Sequence, residues 1–340
     1  MAVRYWQGTT GDWQTAANWS GSTVPVDGDE VIFDGRVTQS VTEGMLDSET
    51  GATGSGDLDL LHIKSSYAGD IGSATEPLAT HADKIIVEGS GTYYLLAAKD
   101  NQTTTATVNE IYVNRKEATV YLYSNANNAT RTCRYSNGFF TAGTIYVAYY
   151  TADVTDCGGC VNTIYVVPKD NWQANVTLYI EKDGYFQSGP TGSAIHMLNG
   201  LVTCDAYIND LHQYGGRFYF GSEAKLGTVV EETELNIEEL YLHDGQFFWY
   251  PDDTDGDAYI DEVRHYGGIF DASGTYSRDR AKTLGKPTVA SEIYVYPGAV
   301  MKLNNGMGNI TIASNSQFFN MGGSIVWDNY TELGVSYDQP

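Results

Sequence analysis

Two segments of this chain repeat each other. Asp205-Ala-Tyr-Ile-Asn-Asp-Leu-His-Gln-Tyr-Gly-Gly-Arg-Phe218 and Asp257-Ala-Tyr-Ile-Asp-Glu-Val-Arg-His-Tyr-Gly-Gly-Ile-Phe270 are identical at eight of fourteen positions, and Leu211 and Val263 are both aliphatic. A shorter relative, Glu239-Leu-Tyr-Leu-His-Asp-Gly-Gln-Phe-Phe248, lies between them. Each reads as a strand, a Gly turn and a second strand. The apolar-Tyr-apolar triplet of the first strand recurs at Ile111-Tyr112-Val113, Ile145-Tyr146-Val147, Ile164-Tyr165-Val166 and Ile293-Tyr294-Val295, and around Tyr207, Tyr241 and Tyr259. Successive marker tyrosines are 34, 19, 42, 34, 18 and 35 residues apart. Those intervals lie near one or two multiples of about 17 to 21, the signature of a repeating coil.

A coil of that length holding two or three short strands predicts an all-β fold, a right-handed parallel β-helix. Each strand pairs with its equivalent one coil on, and like side chains stack into ladders. A propeller needs blades of about 40 residues, too long for the 18- and 19-residue intervals. Runs of Ile, Val, Tyr and Phe are broken by Gly, Asn, Asp and Ser, as in strands and turns. No stretch carries the i, i+3, i+4, i+7 apolar pattern, so little helix is expected. The regular tyrosine spacing reads as ring ladders stacked inside the coil, with hydroxyls toward solvent or an interface.

Three parts are expected along the chain. Residues 1–57 form an N-terminal aromatic-rich cap and attachment segment holding three of the six tryptophans, Trp6, Trp13 and Trp19; residues 58–330 form the coils; residues 331–340 are a polar tail. Solenoid ends expose unpaired backbone groups, which is why a cap is needed. Trp13, Asn18-Trp19, Pro25, Gly28-Asp29, Val31 and Phe33, followed by Tyr67-x-Gly69-x-Ile71-Gly72 and the tyrosine-marked coils, resemble the opening of right-handed β-helix proteins. The chain looks most like structural proteins of tailed bacteriophages, and more distantly like β-helical surface adhesins. The resemblance implies a virion component and names no activity.

The 19 Lys and Arg against 43 Asp and Glu give a net charge of -24. A surface this negative repels phosphate, so neither nucleic acid nor a membrane is expected as a partner, and basic surfaces are the match. No apolar run approaches the roughly 18 residues that span a bilayer. The opening Met1-Ala-Val-Arg-Tyr-Trp has no basic, apolar and small-residue zones of a leader, so synthesis in the host cytoplasm without export is expected.

Candidate chemistry is sparse. In Pro251-Asp-Asp-Thr-Asp-Gly-Asp-Ala-Tyr-Ile-Asp-Glu262, Asp253, Asp255, Gly256 and Glu262 fall on positions 3, 5, 6 and 12 of an EF-hand loop, but position 1 is Pro251. The repeat assigns Asp261 and Glu262 to a coil, which leaves Asp252, Asp253, Asp255 and Asp257 as an acidic turn whose Ca²⁺ binding stays open. Cys157-Gly-Gly-Cys160 lacks a second close pair for zinc and reads as a turn between strands, with Cys133 and Cys204 too scattered to complete a site. Polysaccharide-cleaving β-helices place paired carboxylates on successive coils; of that set only Asp252-Asp253 matches. His62, His81, His196, His212, His243 and His265 read as scattered surface residues, with His212 and His265 one position out of register. No catalytic residue and no cofactor is assigned.

The resulting expectation is a non-enzymatic structural virion protein, a decoration or cement protein on the capsid exterior. Its partners would be the major capsid protein and further copies of itself, as a homotrimer by analogy, with the Trp-rich cap as the first expected capsid contact. The rival is a tail spike or receptor-binding fibre that recognises, and in one version cleaves, host glycans through aromatics such as Phe247-Phe-Trp-Tyr250. That rival predicts loss of glycan binding on Trp249→Ala.

Overall fold

Alternation of aliphatic and polar residues over short segments dictates strands with one buried face, and the computed structural model is built of them. It describes residues 1–45, 57–97, 107–124, 134–149, 161–168, 176–180, 194–204, 208–221, 236–249, 258–272, 282–285, 290–303 and 310–326. Among these the only helix is a 3-10 turn, Ala16–Asn18. The strand pairings between β1 and β8, and those between β10 and β23, are parallel.

The chain divides into two units, mainly Met1–Asp170 and Phe186–Pro340, with the residues between distributed over both. The first holds β1 (Val3–Tyr5), β2 (Glu30–Phe33), β3 (Asp57–Ile63), β4 (Leu78–Val87), β5 (Thr92–Ala97), β6 (Thr107–Ser124), β7 (Arg134–Tyr149) and β8 (Val161–Val166). β9 (Val176–Ile180) follows. The second holds β10 (Ala194–Met197), β11 (Leu201–Cys204), β12 (Ile208–Gln213), β13 (Arg217–Phe220), β14 (Asn236–Leu242), β15 (Gln246–Trp249), β16 (Ala258–His265) and β17 (Gly268–Asp271). It continues with β18 (Lys282–Leu284), β19 (Glu292–Val295), β20 (Ala299–Lys302), β21 (Ile310–Ile312), β22 (Gln317–Asn320) and β23 (Ser324–Val326).

Each unit is a β-solenoid whose interior is made of in-register ladders. In the first, Phe33, Ile63, Val87, Val113, Phe140 and Val166 stack on one wall, and Val41, Ile71, Tyr93, Val120 and Ile145 on another, all fully buried. In the second, Ile195, Leu211, Leu240, Val263, Ile293 and Phe318 form one wall, and Val202, Phe218, Phe247, Phe270 and Met301 the next. The repeated segments Ile208–Gln213 and Ile260 to His265 therefore lie two rungs apart, with β14 between them.

The parallel ladder already begins inside the segment read as the cap, because β1 pairs with β2 and β2 with β3. Over β1, the aromatic cluster expected from the sequence is present. Trp6, Trp13 and Trp19 are fully buried, packed edge to face at 5.0 and 4.6 Å and closed below by Phe33. These rings form the cap's own core. Buried Asn18 organises the turn above them, accepting from the Thr9 and Thr10 amides and donating to the Asp12 carbonyl. The Ser20 amide donates to the Tyr5 carbonyl and the Ser20 hydroxyl oxygen accepts from the Tyr5 amide. Burial disfavours the Asp29 carboxylate, but Arg4 and the Ala2 and Val26 amides outweigh it and hold its pKa below the usual range.

Candidate functional site

The site begins with one six-residue rung. Ile208-Asn-Asp-Leu-His-Gln213 runs buried, half-buried, half-buried, buried, half-buried, buried, and Val161-Asn-Thr-Ile-Tyr-Val166 does the same. Two successive outward residues break the period of two, so the strand bends there and its inward residues line two walls. The rung recurs at Leu58 to Ile63, Val108 to Val113, Ile237 to Leu242 and Ile260 to His265. Every rung therefore presents outward positions that align, rung on rung, into rows whose successive members lie about 4.8 Å apart.

The described marker tyrosines, Tyr112, Tyr146, Tyr165, Tyr241, Tyr259 and Tyr294, are half-buried and face outward. That corrects the expectation of internal tyrosine ladders: period two turns each Tyr away from the buried aliphatic residues on either side. The rings do stack, on the outside. Tyr112, Phe139 and Tyr165 follow one another at 4.8 and 4.9 Å, and Tyr94, Tyr121 and Tyr146 at 4.4 and 4.6 Å, with interplanar angles of 13° or less. Interior aromatics include Phe33, Tyr93, Phe140, Phe218, Phe220, Phe247, Trp249 and Phe270. Trp249 is fully buried, with its ring against Phe270 at 6.2 Å, so Trp249→Ala would open the core and is no test of a glycan surface.

Histidines also join the rows, which corrects their reading as scattered. His196 and His212 are register partners with rings stacked at 4.8 Å, and His212 stacks on Tyr241 at 4.5 Å. Burial lowers the pKa of both, and their mutual repulsion lowers that of His212 further. The pairing spans sixteen residues where its neighbour spans twenty-nine, so unequal connections hid it. His265 is fully buried instead, at the position equivalent to Gln213 in the repeat. Both side chains reach the carbonyls of the following Gly-Gly turn, Gln213 toward Gly216 and His265 toward Gly268 at 3.3 Å each. Burial pushes the His265 pKa down to about 4.

Beside the aromatic row of the second unit runs an acidic one. Asp210, Glu239 and Glu262 are register partners, and Glu292 follows at the next rung. Burial and the neighbouring carboxylates Glu239 and Glu238 raise the pKa of Asp210; Glu262 is raised by burial and by its acidic neighbours, against the pull of Arg264. Arg264 bridges Glu262 at 3.3 Å and Glu292 at 3.8 Å and lies over the Tyr294 ring. Glu-x-Tyr pairs share this surface. The Tyr112 and Tyr294 hydroxyls donate to Glu110 and Glu292 at 3.1 and 3.2 Å, and Tyr241 donates to Glu239, which holds the Tyr241 pKa up at about 12 together with burial.

Among the described residues, no group of three or more His, Cys, Asp or Glu is placed to hold a metal ion. No helix among them is long and apolar enough to cross a membrane. Cys204 is buried on β11, whereas Cys133, Cys157, Cys160 and the acidic turn at 252–257 lie outside the described residues, as does the tail at 331–340. Fold and surface together define a class: a parallel β-solenoid whose outer face is organised as rows of stacked rings and carboxylates. No protein-family model, curated protein or solved structure matches the chain.

Proposed function

We propose that this chain is a non-enzymatic structural protein of a tailed-bacteriophage virion, a decoration or cement protein on the capsid exterior, with the major capsid protein as its partner. The observation that carries the reading is the state of the outward rings. In each row they lie face to face at 4.4 to 4.9 Å, so neighbouring rings cover one another's faces and turn edges to solvent. A sugar stacks on a ring face; rings already stacked on each other serve rigidity. Ladders inside and outside the same sheet stiffen each unit, which suits a capsid-reinforcing role better than glycan capture. The resemblance of the N-terminal segment to phage β-helix proteins supplies the virion setting, and the charge of -24 keeps many copies apart before assembly.

Quantitative mass spectrometry of purified particles, with the chain measured against the major capsid protein, tests this. Hundreds of copies per particle are expected. A handful would overturn the decoration reading in favour of a tail spike, and absence from the particle would overturn the virion setting itself.

A further inference from the structure

One edge of the second unit is unlike the rest of the surface. The residue after the last buried position of each rung turns outward at the corner, and successive corners are hydrogen-bonded: Tyr214 to Met197, His243 to Gln213, Tyr266 to Leu242, Tyr296 to His265 and Met321 to Val295. The corner residues therefore form a single file, Leu198, Tyr214, His243, Tyr266, Tyr296 and Met321. Its four rings stack at 4.4, 4.9 and 4.8 Å. Leu198, Tyr214, Tyr266 and Met321 are 48, 45, 38 and 47% exposed, half of the eight exposed large hydrophobic residues among the described residues. The same corner of the first unit carries Asp34, Lys64, Glu88, Asn114, Thr141 and Val167, mostly polar or charged.

We propose that this ridge is a contact between copies of this chain. Four exposed hydrophobic residues in one file, joined by the half-buried rings of His243 and Tyr296, mark an interaction site, and the composition, aromatic rings with Leu and Met and no Lys or Glu, is that of an interface centre. The occupant follows from charge. In a chain of net charge -24, two copies meeting through the acidic rows would repel. Along the ridge the next residues are Asn199, Gly215, Asp244, Gly267, Pro297 and Gly322, with one carboxylate and little bulk to hold a neighbour away. A basic partner would favour the row of Asp210, Glu239 and Glu262 instead, and a glycan would need ring faces that are stacked here. A second ridge has the same spacing of about 4.8 Å, so two ridges related by a twofold axis mesh along their whole length of about 24 Å. That length is the apolar centre of a contact, short of the roughly 800 Å² per partner of a standard interface; the flanking glycines let the surrounding surface close in. The inference stands on exposure and charge, independently of the virion reading.

Sedimentation velocity of the purified full chain tests it, with circular dichroism and thermal melting to confirm folding. The wild type should sediment as a dimer, because one ridge per copy paired across a twofold axis closes with two subunits. Tyr214→Glu/Tyr266→Glu should reduce it to the monomer. Leu198→Glu/Met321→Glu, which leaves the ring stack intact, should do the same with an unchanged melting temperature. Asn114→Glu/Thr141→Glu adds the same charge at the equivalent corner of the first unit and should leave the assembly whole. A monomeric wild type at every soluble concentration would overturn the proposal. So would an assembly that survives Leu198→Glu/Met321→Glu, or one that the first-unit variant dissociates equally.

Discussion

The two units build their rungs to one pattern and finish them differently. In the first, the outward position two residues before the ring row carries Leu60, Lys84, Glu110, Asn137 and Thr163, and Lys84 bridges Glu110 at 3.2 Å across one rung. In the second, the same position carries Asp210, Glu239, Glu262 and Glu292, like charges on successive rungs with Arg264 among them. The interiors diverge too: the second wall is Tyr93, Val120 and Ile145 in one unit, Phe218, Phe247 and Phe270 in the other. Backbone geometry and surface chemistry are thus specified separately. Buried aliphatic residues set the rung, and the outward residues can change sign without disturbing it.

The largest effect should come from the walls. Phe247 lies between Phe218 at 5.7 Å and Phe270 at 5.3 Å, so Phe247→Ala loses two ring contacts as well as buried area and should cost about 4 kcal/mol. Ile145→Ala, on the mainly aliphatic wall, should cost about 2 kcal/mol. Urea denaturation would compare them; equal costs would remove the distinction between the walls.

Next comes the buried imidazole of the second unit. The folded pKa of His265 is about 4 against an ordinary value of 6.5, so between these values the unfolded chain binds a proton that the folded chain does not. Its contribution is complete above about pH 6.5, is lost as pH falls toward 4, and amounts to about 3 kcal/mol. The raised carboxyl groups Asp210 and Glu262 act in the opposite sense, since their protonation on acidification favours the folded state. His265→Gln, copying the equivalent Gln213, should keep a donor for the turn carbonyl and flatten the pH dependence of the melting temperature in that window. An unchanged profile would count against His265 as its source.

The smallest effect should distinguish the surfaces by sign. Glu239→Gln relieves like-charge repulsion and should stabilise by a few tenths of a kcal/mol, up to about 1. Glu110→Gln breaks the exposed pair with Lys84 and should destabilise by about as much. Both variants keep an acceptor for the i+2 tyrosine. Raising the salt concentration should shrink both effects, and two shifts of the same sign would contradict the charge contrast.

Much of this was legible in the residues. The fourteen-residue repeat and the Ile-Tyr-Val triplets were sufficient for parallel coils, because period-two alternation and a recurring interval leave few other folds. The facing of the tyrosines was equally available: a residue flanked on both sides by buried aliphatics must point the other way. Reading Tyr as a core residue by type obscured that. The His196 and His212 stack was harder, since pairing depends on connection lengths that vary from rung to rung and leave no periodic trace. The corner ridge was half visible, as Tyr214 and Tyr266 are repeat equivalents, but Leu198, His243 and Met321 share its line only through the fold.

The turn over β1 gives the molecule a direction. The Ser20 contacts engage the Tyr5 amide and carbonyl that face away from β2, and Trp6 and Trp19 pair antiparallel across the same edge. In the language of polymerisation, residues 6–20 are a covalently attached chain stopper: a strand from another molecule finds that site taken. Strand addition at the Tyr5 edge of β1 is therefore blocked, whatever the concentration.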